Sequence, residues 1–164
     1  MSTIKLLAMD VDGTLTNGKI NITNTGELFK AFDVKDGYAI KHLLPLHGIK
    51  TAIITSRKSN IVSERAKELN ISYIVQSSED KVSSLRDICL AIGISLRECA
   101  YIGDDLNDIP LLKVVGLSGC PNDAVSEVRE SCQFISSKTG GNGAVREFCE
   151  YIIKKKGNNT WHND

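Results

Sequence analysis

Six short apolar runs, each with the length and composition of a buried strand, recur along the chain. We predict strands at Ile4–Met9, Thr51–Ile54, Tyr73–Val75, Ala100–Ile102, Gly116–Leu117 and Gln133–Ile135. Apolar residues at helical spacing predict helices between them, at Tyr38–Leu46, Asn60–Leu69, Lys81–Ile92 and Ala144–Ile153, with shorter ones after Asp105 and Asn122. Helices that separate short strands indicate a parallel sheet covered on both faces. The pattern therefore predicts an α/β fold of three layers, α/β/α.

Two segments depart from this alternation. Residues 19–34 alternate apolar and polar positions around Asn24-Thr25-Gly26, which predicts a β-hairpin over about 18–34. An isolated hairpin is only marginally stable, so it is either a surface ornament or a contact with another subunit. Residues 154–164 are polar, and we expect them to form a frayed tail.

Length and composition limit the class of protein. The 164 residues fit one domain, and 20 Lys plus Arg balance 20 Asp plus Glu. A net charge of zero argues against a nucleic-acid or membrane-surface partner. No apolar run approaches the length of a membrane span, and no secretory signal is recognisable, so we expect a cytoplasmic protein. The five cysteines are odd in number and form no CxxC pair, which favours reduced packing residues over zinc or disulfides.

Two aspartates follow the first predicted strand. Asp10 and Asp12 come directly after Leu6-Leu7-Ala8-Met9. Residues i and i+2 of a strand point to the same face, so the two carboxylates should lie side by side. Like charges at that distance repel, and burial adds to the cost. The pattern therefore requires a cation, a shared proton or a basic neighbour.

Further polar side chains follow the other predicted strands. The second strand is followed by hydroxyl and basic side chains, at Thr55, Ser56 and Arg57. Lys81 follows the third strand, and an acidic cluster of Asp104, Asp105 and Asp108 follows the fourth. Each alone has an ordinary explanation as a helix cap or a solvated side chain. Ligands bind at the carboxyl ends of parallel strands, however, and the whole set is directed to that edge.

This set of groups suits phosphoryl transfer. Lys81 and Thr55 can bind phosphate oxygens through charge and hydrogen bonds. Asp10 and Asp104 can hold Mg²⁺, which prefers carboxylate oxygens and would offset the crowded negative charge. One carboxylate can then attack phosphorus while a second transfers the proton.

The motifs DVDGT (10–14), Thr55 in IITSR, Lys81 and GDDLND (103–108) resemble, in order, the four motifs of the haloacid dehalogenase superfamily of phosphatases. The resemblance implies that Asp10 is the nucleophile and Asp12 the general acid and base. It implies that Thr55, Ser56 and Lys81 bind phosphate, and that Asp10, Asp104 and the backbone carbonyl of Asp12 ligate Mg²⁺. Outer roles around the metal are implied for Asp105 and Asp108.

The spacing of the motifs leaves no room for a cap domain. Asp12 and Thr55 are separated by 42 residues, and Thr55 and Lys81 by 25. The hairpin, FDVKDGYAIKHL (32–43) and GGNGAVREFCE (140–150) resemble the small capless sugar-acid phosphatases of the superfamily. That resemblance implies a HAD-like fold and a homotetramer in which a neighbouring subunit covers the active site.

The expected substrate is a phosphorylated sugar acid. Arg57 and Arg65 are candidates to bind its carboxylate, because arginine suits bidentate recognition, although both could be solvated helix residues. The placement of Arg57 two positions after Thr55 resembles the phosphatases that act on 3-deoxy-D-manno-octulosonate 8-phosphate. That resemblance implies a role in the synthesis of lipopolysaccharide precursors. Nine-carbon 9-phosphates of the sialic acid type are the alternative. A phospho-receiver domain is a further alternative, but receivers are phosphorylated on the third strand and this DxD follows the first.

Overall fold

The computed structural model describes residues 3–159. Six parallel strands form one sheet in the order β5-β4-β1-β6-β7-β8. Their bounds are β1 Leu6–Met9, β4 Lys50–Ile54, β5 Tyr73–Val75, β6 Cys99–Ile102, β7 Leu117–Cys120 and β8 Phe134–Ile135. All six predicted strands are confirmed; the largest shift is in β7, which begins and ends later than Gly116–Leu117.

The sheet places its switch point beside β1. Leu6 pairs with Lys50 of β4 on one side and with Cys99 of β6 on the other. The chain builds outward from β1 through β4 to β5, and then returns to the opposite side of β1 with β6. The carboxyl ends of β1 and β6 therefore flank the crevice in which α/β folds of this type bind ligands.

Helices cover both faces of the sheet. Along the chain they are α1 Val34–Tyr38, a π-helical stretch Ala39–Leu43, α2 Leu44–Leu46, α3 Asn60–Glu68, α4 Lys81–Ile92, α5 Ile109–Leu112, α6 Ser126–Ser131 and α7 Ala144–Asn159. Leu7 and Met9 are buried with residues of α3 and α7, whereas Leu6 and Ala8 are buried with residues of α4 and α5. Alternate residues of β1 thus serve opposite cores, and the predicted three-layer fold is confirmed.

The predicted hairpin is present as β2 Asn21–Thr23 and β3 Gly26–Phe29, paired antiparallel in a separate sheet. Between Asp12 and Thr55 the chain forms only this hairpin, the helical segment from α1 to α2, and β4. Between Thr55 and Lys81 it forms α3 and β5. The predicted absence of a cap between these motifs agrees with the structure.

Two helix boundaries differ from the predictions by more than one residue, and α3 ends at Glu68, one residue before the predicted Leu69. The first helical segment begins at Val34 rather than Tyr38, because the Asp33 carboxylate caps it by accepting from the Lys35 backbone N–H at 2.6 Å. The prediction that the last helix ends at Ile153 was wrong, since α7 continues to Asn159. Lysine is a good helix former, and Lys156 Nζ donates to the His47 carbonyl at 2.5 Å. Residues 160–164 of the predicted tail lie outside the described residues.

None of the helices in residues 3–159 is long and apolar enough to cross a bilayer.

Candidate active site

The polar side chains that follow the strands meet at one edge of the sheet, as predicted. Asp10 continues the ladder beyond β1, with its N–H donating to the Ile102 carbonyl at 3.0 Å. Asp104 lies two residues beyond the end of β6, and Lys81 is the first residue of α4. Because β1 and β6 are neighbours, these three side chains reach the same crevice.

Lys81 joins two of the carboxylates. Its Nζ lies 3.1 Å from Oδ1 of Asp10 and 2.6 Å from Oδ1 of Asp108, and the residue is only 5% exposed. Burial alone would lower the pKa of Lys81, but Asp10 and Asp108 outweigh it and raise the pKa above its ordinary value. The ammonium is therefore a permanent positive charge at the centre of the site.

Asp108 is completely buried and has no oxygen left to share. Its Oδ1 accepts from the Tyr101 hydroxyl at 2.5 Å and from Lys81 at 2.6 Å. Its Oδ2 accepts from the backbone N–H groups of Asp104 at 2.9 Å and Asp105 at 3.1 Å. The Asp105 carboxylate accepts from the Leu106 N–H at 2.7 Å and so caps the short turn that follows. Asp108 therefore positions Lys81 and the acidic loop.

Three carboxylates form a cluster that could hold a metal ion. Ligand atoms of Asp10, Asp104 and Asp108 all lie within 4.8 Å of one another. Burial, followed by the charge of Asp108, raises the pKa of Asp10 to about 6 despite Lys81. Burial, followed by the charges of Asp10 and Asp108, raises the pKa of Asp104 to about 8. Since Asp108 is already saturated, Asp10 and Asp104 are the oxygen donors that fit Mg²⁺, and a cation between them would relieve their crowding.

The loop after β1 is shaped around Asp104. Gly13 has a φ of +93°, and a Cβ there would lie 2.0 Å from Oδ2 of Asp104. Thr14 Oγ1 donates to Oδ1 of Asp104 at 3.0 Å. A glycine is thus required at position 13 for both backbone conformation and close approach. The GT of the DVDGT motif places the acidic loop of β6 against the nucleophile loop.

The glycine-rich segment 140–143 packs against the same loop. The Gly141 N–H donates to the Thr14 carbonyl at 3.1 Å. A Cβ at Gly140 would lie 1.9 Å from the Gly13 carbonyl oxygen. This segment therefore supports the loop that carries Asp12, a role that its sequence alone did not indicate.

Asp12 points toward different partners from Asp10. The strand ends at Met9, so Asp12 lies in the following turn. Its Oδ1 is 2.5 Å from Nζ of Lys30, and its Oδ2 is 4.0 Å from Nε of Arg57. Asp12 contributes no carboxylate oxygen to the cluster, and its predicted backbone contact with a metal stays a prediction. Of the alternatives that the sequence left open, a basic neighbour is present for each acid: Lys81 for Asp10 and Lys30 for Asp12.

The loop after β4 lies beside the acidic loop. Thr55 is buried, and its N–H donates to the Val75 carbonyl at 3.0 Å. Ser56 Oγ accepts from Nδ2 of Asn107 at 3.2 Å, which ties this loop to the segment that follows Asp104. Arg57 is about half exposed and leans toward Asp12. Arg57 is thus placed beside a carboxylate, Ser56 is tied to the loop that carries Asp104, and Thr55 lies directly after the end of β4.

Arg65 has a different environment. Its guanidinium lies over the Phe32 ring, 5.5 Å from the ring centroid, and pairs with Glu68 at 2.8 Å. It also fills the space beside Gly37, where a Cβ would lie 2.4 Å from its Nη2. None of these contacts involves the predicted phosphate site, and a role for Arg65 toward substrate stays a prediction.

Three residues of the site were missed in the sequence. Lys30 and Glu27 come from the hairpin and Tyr101 from the middle of β6. Tyr101 reads as an ordinary core residue of an apolar strand, and only its hydroxyl could have suggested a polar partner. The hairpin residues carry no motif, so their position beside Asp12 was visible only in the folded chain.

The fold and the site define the class of protein. The family of haloacid dehalogenase-like hydrolases matches residues 55–148, more than half of the chain. The chain belongs to the haloacid dehalogenase-like hydrolases, which confirms the predicted family.

Within this family the similarity is to one kind of phosphatase. The 3-deoxy-D-manno-octulosonate 8-phosphate phosphatase KdsC of Escherichia coli K12 is 39% identical over 142 residues, covering 87% of this chain and 75% of that protein. The crystal structure of the phosphatase of the same name from Moraxella catarrhalis, in complex with magnesium, phosphate and KDO, superposes with a TM-score of 0.91. It is 45% identical and covers 96% of this chain and 90% of its own.

A second solved structure is equally similar in shape. The cobalt-bound deoxy-D-mannose-octulosonate 8-phosphate phosphatase of Haemophilus influenzae has a TM-score of 0.91 and 32% identity. The match covers 99% of this chain and 94% of that one. The fold is therefore shared with phosphatases that have been crystallised with divalent metal ions.

Proposed function

We propose that the protein is a Mg²⁺-dependent phosphatase that hydrolyses 3-deoxy-D-manno-octulosonate 8-phosphate to the free sugar acid and phosphate. The observation that carries this proposal is the buried Asp10 carboxylate, paired with Lys81 at 3.1 Å and grouped with Asp104. A nucleophile, a cation for phosphate and a metal-binding oxygen thus share one crevice. The similarity to phosphatases of that substrate supports the same activity.

The residues suggest two chemical steps. In the first, a carboxylate oxygen of Asp10 attacks phosphorus, the bond from phosphorus to the sugar oxygen breaks, and Asp12 gives its proton to that oxygen. In the second, Asp12 takes a proton from water as the water oxygen attacks phosphorus. The bond from phosphorus to Asp10 breaks, phosphate leaves, Asp10 is again a free carboxylate, and Asp12 again carries the proton that it needs for the next cycle.

The other groups hold the phosphoryl oxygens and their charge. Lys81 would neutralise one oxygen while it keeps its contact with Asp108. Thr55 and Ser56 would donate hydrogen bonds from the end of β4. Mg²⁺, held by Asp10 and Asp104, would supply charge stabilisation for the phosphoryl group.

Arg57 is the residue that we assign to the carboxylate of the sugar acid. Its guanidinium is about half exposed, and its Nε lies 4.0 Å from Asp12, so it stands at the mouth of the site. A planar guanidinium can bind a carboxylate through two hydrogen bonds. Nine-carbon sugar-acid 9-phosphates remain the alternative substrates, because their carboxylate is the same and only the spacing to phosphate differs.

A side-by-side kinetic comparison tests the activity and the substrate. We expect kcat/KM for 3-deoxy-D-manno-octulosonate 8-phosphate to exceed that for a nine-carbon 9-phosphate and for p-nitrophenyl phosphate. Arg57→Glu should lower turnover of the sugar-acid phosphate relative to turnover of p-nitrophenyl phosphate. Equal losses on both would exclude Arg57 as the carboxylate receptor, and a preference for the nine-carbon compound would favour the alternative.

We further infer that the hairpin joins copies of this chain in a homotetramer that covers the site. Apolar side chains are exposed on the hairpin strands and in the residues that flank them: Ile20, Ile22, Leu28, Phe29 and Val34. An apolar patch of this kind is typical of an interaction surface. Light scattering of the wild type and of Leu28→Lys tests this: a monomeric wild type with full activity would refute a shared site.

The state of the cysteines supports the expected location. All five are free, and four are buried. Reduced, buried cysteines are typical of proteins of the cytoplasm, which is where we propose that this one acts.

A further inference from the structure

Lys30 lies at the end of the hairpin and reaches into the active site. It follows β3 directly, and its side chain is only 3% exposed. Its Nζ lies 2.5 Å from Oδ1 of Asp12 and 3.0 Å from Oε1 of Glu27. A buried ammonium is costly unless it is paired, so these two carboxylates fix where it lies.

Glu27 connects Lys30 to the body of the protein. Its Oε2 accepts a hydrogen bond from the Ser59 hydroxyl. Ser59 in turn caps α3, accepting from the Val62 N–H at 3.3 Å. The hairpin is thus attached through Glu27 to a helix that packs on the sheet. Glu27 therefore fixes the Lys30 ammonium on the side away from the active site, and the same ammonium contacts Asp12.

The two oxygens of Asp12 have unequal surroundings. Oδ1 is engaged by the buried Lys30, whereas the ion-pair partner of Oδ2 among the described residues is Arg57 at 4.0 Å, and Arg57 is about half exposed. A carboxylate held through one oxygen presents the other in a fixed direction. Proton transfer needs that direction, because a displacement of about 1 Å can cost on the order of 100-fold in rate.

We propose that Lys30 is a positioning residue for the general acid and base Asp12, and that the hairpin is therefore part of the catalytic apparatus. The proposal rests on the proposed function, in which Asp12 transfers the proton. Lys30 affects catalysis through its contact with Asp12 and has no part in the attack of Asp10 on phosphorus.

A double-mutant cycle tests this positioning role. Lys30→Met keeps the length of the side chain without the charge, and we expect kcat for the sugar-acid phosphate to fall on the order of 10- to 100-fold. In the Asp12→Asn background the same substitution should change kcat less than about twofold. Lys30→Arg, which keeps the charge, should retain more activity than Lys30→Met. The matched control is Lys19→Met, an exposed hairpin lysine, with unchanged kcat.

The leaving group gives a second readout that a merely structural role would not move. Nitrophenolate leaves without needing a proton, so the burst of nitrophenol from p-nitrophenyl phosphate should be less affected by Lys30→Met than cleavage of the sugar-acid phosphate. The proposal would be overturned if Lys30→Met lowered kcat as much in the Asp12→Asn background as in the wild type. It would also be overturned if Lys30→Met slowed cleavage of both substrates equally. If Lys30→Met fails to fold, the comparison is made with Lys30→Arg and Glu27→Gln, where equal losses on both substrates overturn it in the same way. Unchanged activity in Asp12→Asn alone would instead refute the proposed function.

Discussion

Lys81 and Asp108 form a buried ion pair with 2.6 Å between Nζ and Oδ1. The lysine is the one predicted to bind phosphate, and the carboxylate is the last acid of the GDDLND motif. The pair decides two things at once. It fixes the ammonium that faces Asp10, and it occupies a carboxylate that would otherwise compete for a metal ion.

The Tyr101 hydroxyl supports this pair from the sheet. Tyr101→Phe removes the hydrogen bond to Asp108 at 2.5 Å and leaves a buried charge with one donor fewer. We expect the free energy of unfolding to fall by about 1–3 kcal/mol, measured by urea denaturation. Tyr73→Phe on β5 is the control. A Tyr101→Phe protein as stable as the wild type would show that the hydroxyl does not stabilise the pair.

Asp10→Asn should abolish turnover, because an amide cannot attack phosphorus. The expected loss in kcat is on the order of 10⁴-fold or more. Acid-quenched wild-type protein should carry the added mass of one phosphoryl group on Asp10, seen by peptide mass spectrometry, and the variant should not. Phosphorylation of another residue in the wild type would contradict the assignment of the nucleophile.

Asp12→Asn should leave the nucleophile intact and remove the proton carrier. We expect kcat to fall on the order of 10²- to 10⁴-fold. With p-nitrophenyl phosphate the phosphorylated protein should accumulate, since its hydrolysis needs a base while nitrophenolate needs no acid. Rapid-quench measurement of nitrophenol and phosphate separates the two steps, and a loss confined to the first step would count against this role.

Removal of divalent metal should abolish activity and lower thermal stability. A cation between Asp10 and Asp104 offsets like charges that burial has brought together. Stabilisation should grow with Mg²⁺ concentration, reaching about 2.7 kcal/mol at 100 times the dissociation constant. Scanning calorimetry with EDTA and with added Mg²⁺ measures it. Asp104→Asn should abolish the shift, and full turnover after chelation would exclude a metal role.

Asp36 should make stability depend on pH. It is buried, its Oδ1 accepts from the Arg146 N–H at 2.7 Å, and burial together with nearby Asp33 raises its pKa from 3.8 to about 6. The folded protein therefore binds this proton more tightly than the unfolded chain does. Its contribution is fully present below about pH 4 and is lost as the pH rises through about 6, a change of about 3 kcal/mol.

Asp36→Asn should remove that dependence, because an amide keeps an acceptor for the Arg146 N–H and never ionises. The difference in unfolding free energy between the variant and the wild type should shift toward the variant as the pH rises from 4 to about 7. Denaturation at several pH values measures it, with the exposed Asp87→Asn as control. A constant difference across this range would contradict the raised pKa.

Much of the site followed from the order of residues along the chain. Short apolar runs with helices between them predict a parallel sheet, and such a sheet brings the carboxyl ends of its strands together. The approach of Asp10, Asp104 and Lys81 could therefore be predicted before any coordinates. The different roles of Asp108 and Asp104 could not be predicted, because both residues lie in one short acidic motif. Only the structure shows that Asp108 is occupied by the Tyr101 hydroxyl and Lys81, which leaves Asp104 free to bind a metal ion.

The sequence by itself determined the layers of the fold, the hairpin and the edge at which the chemistry lies, because these depend on local periodicity and on the direction of parallel strands. Only the tertiary structure decided which lysine pairs with each aspartate of the DVDGT motif, Lys81 with Asp10 and Lys30 with Asp12. Alternation within a hairpin says which residues share a face, but not what that face packs against. Docking of the hairpin on α3 brought Lys30 to Asp12, and packing of the chain placed the Arg65 guanidinium over the Phe32 ring.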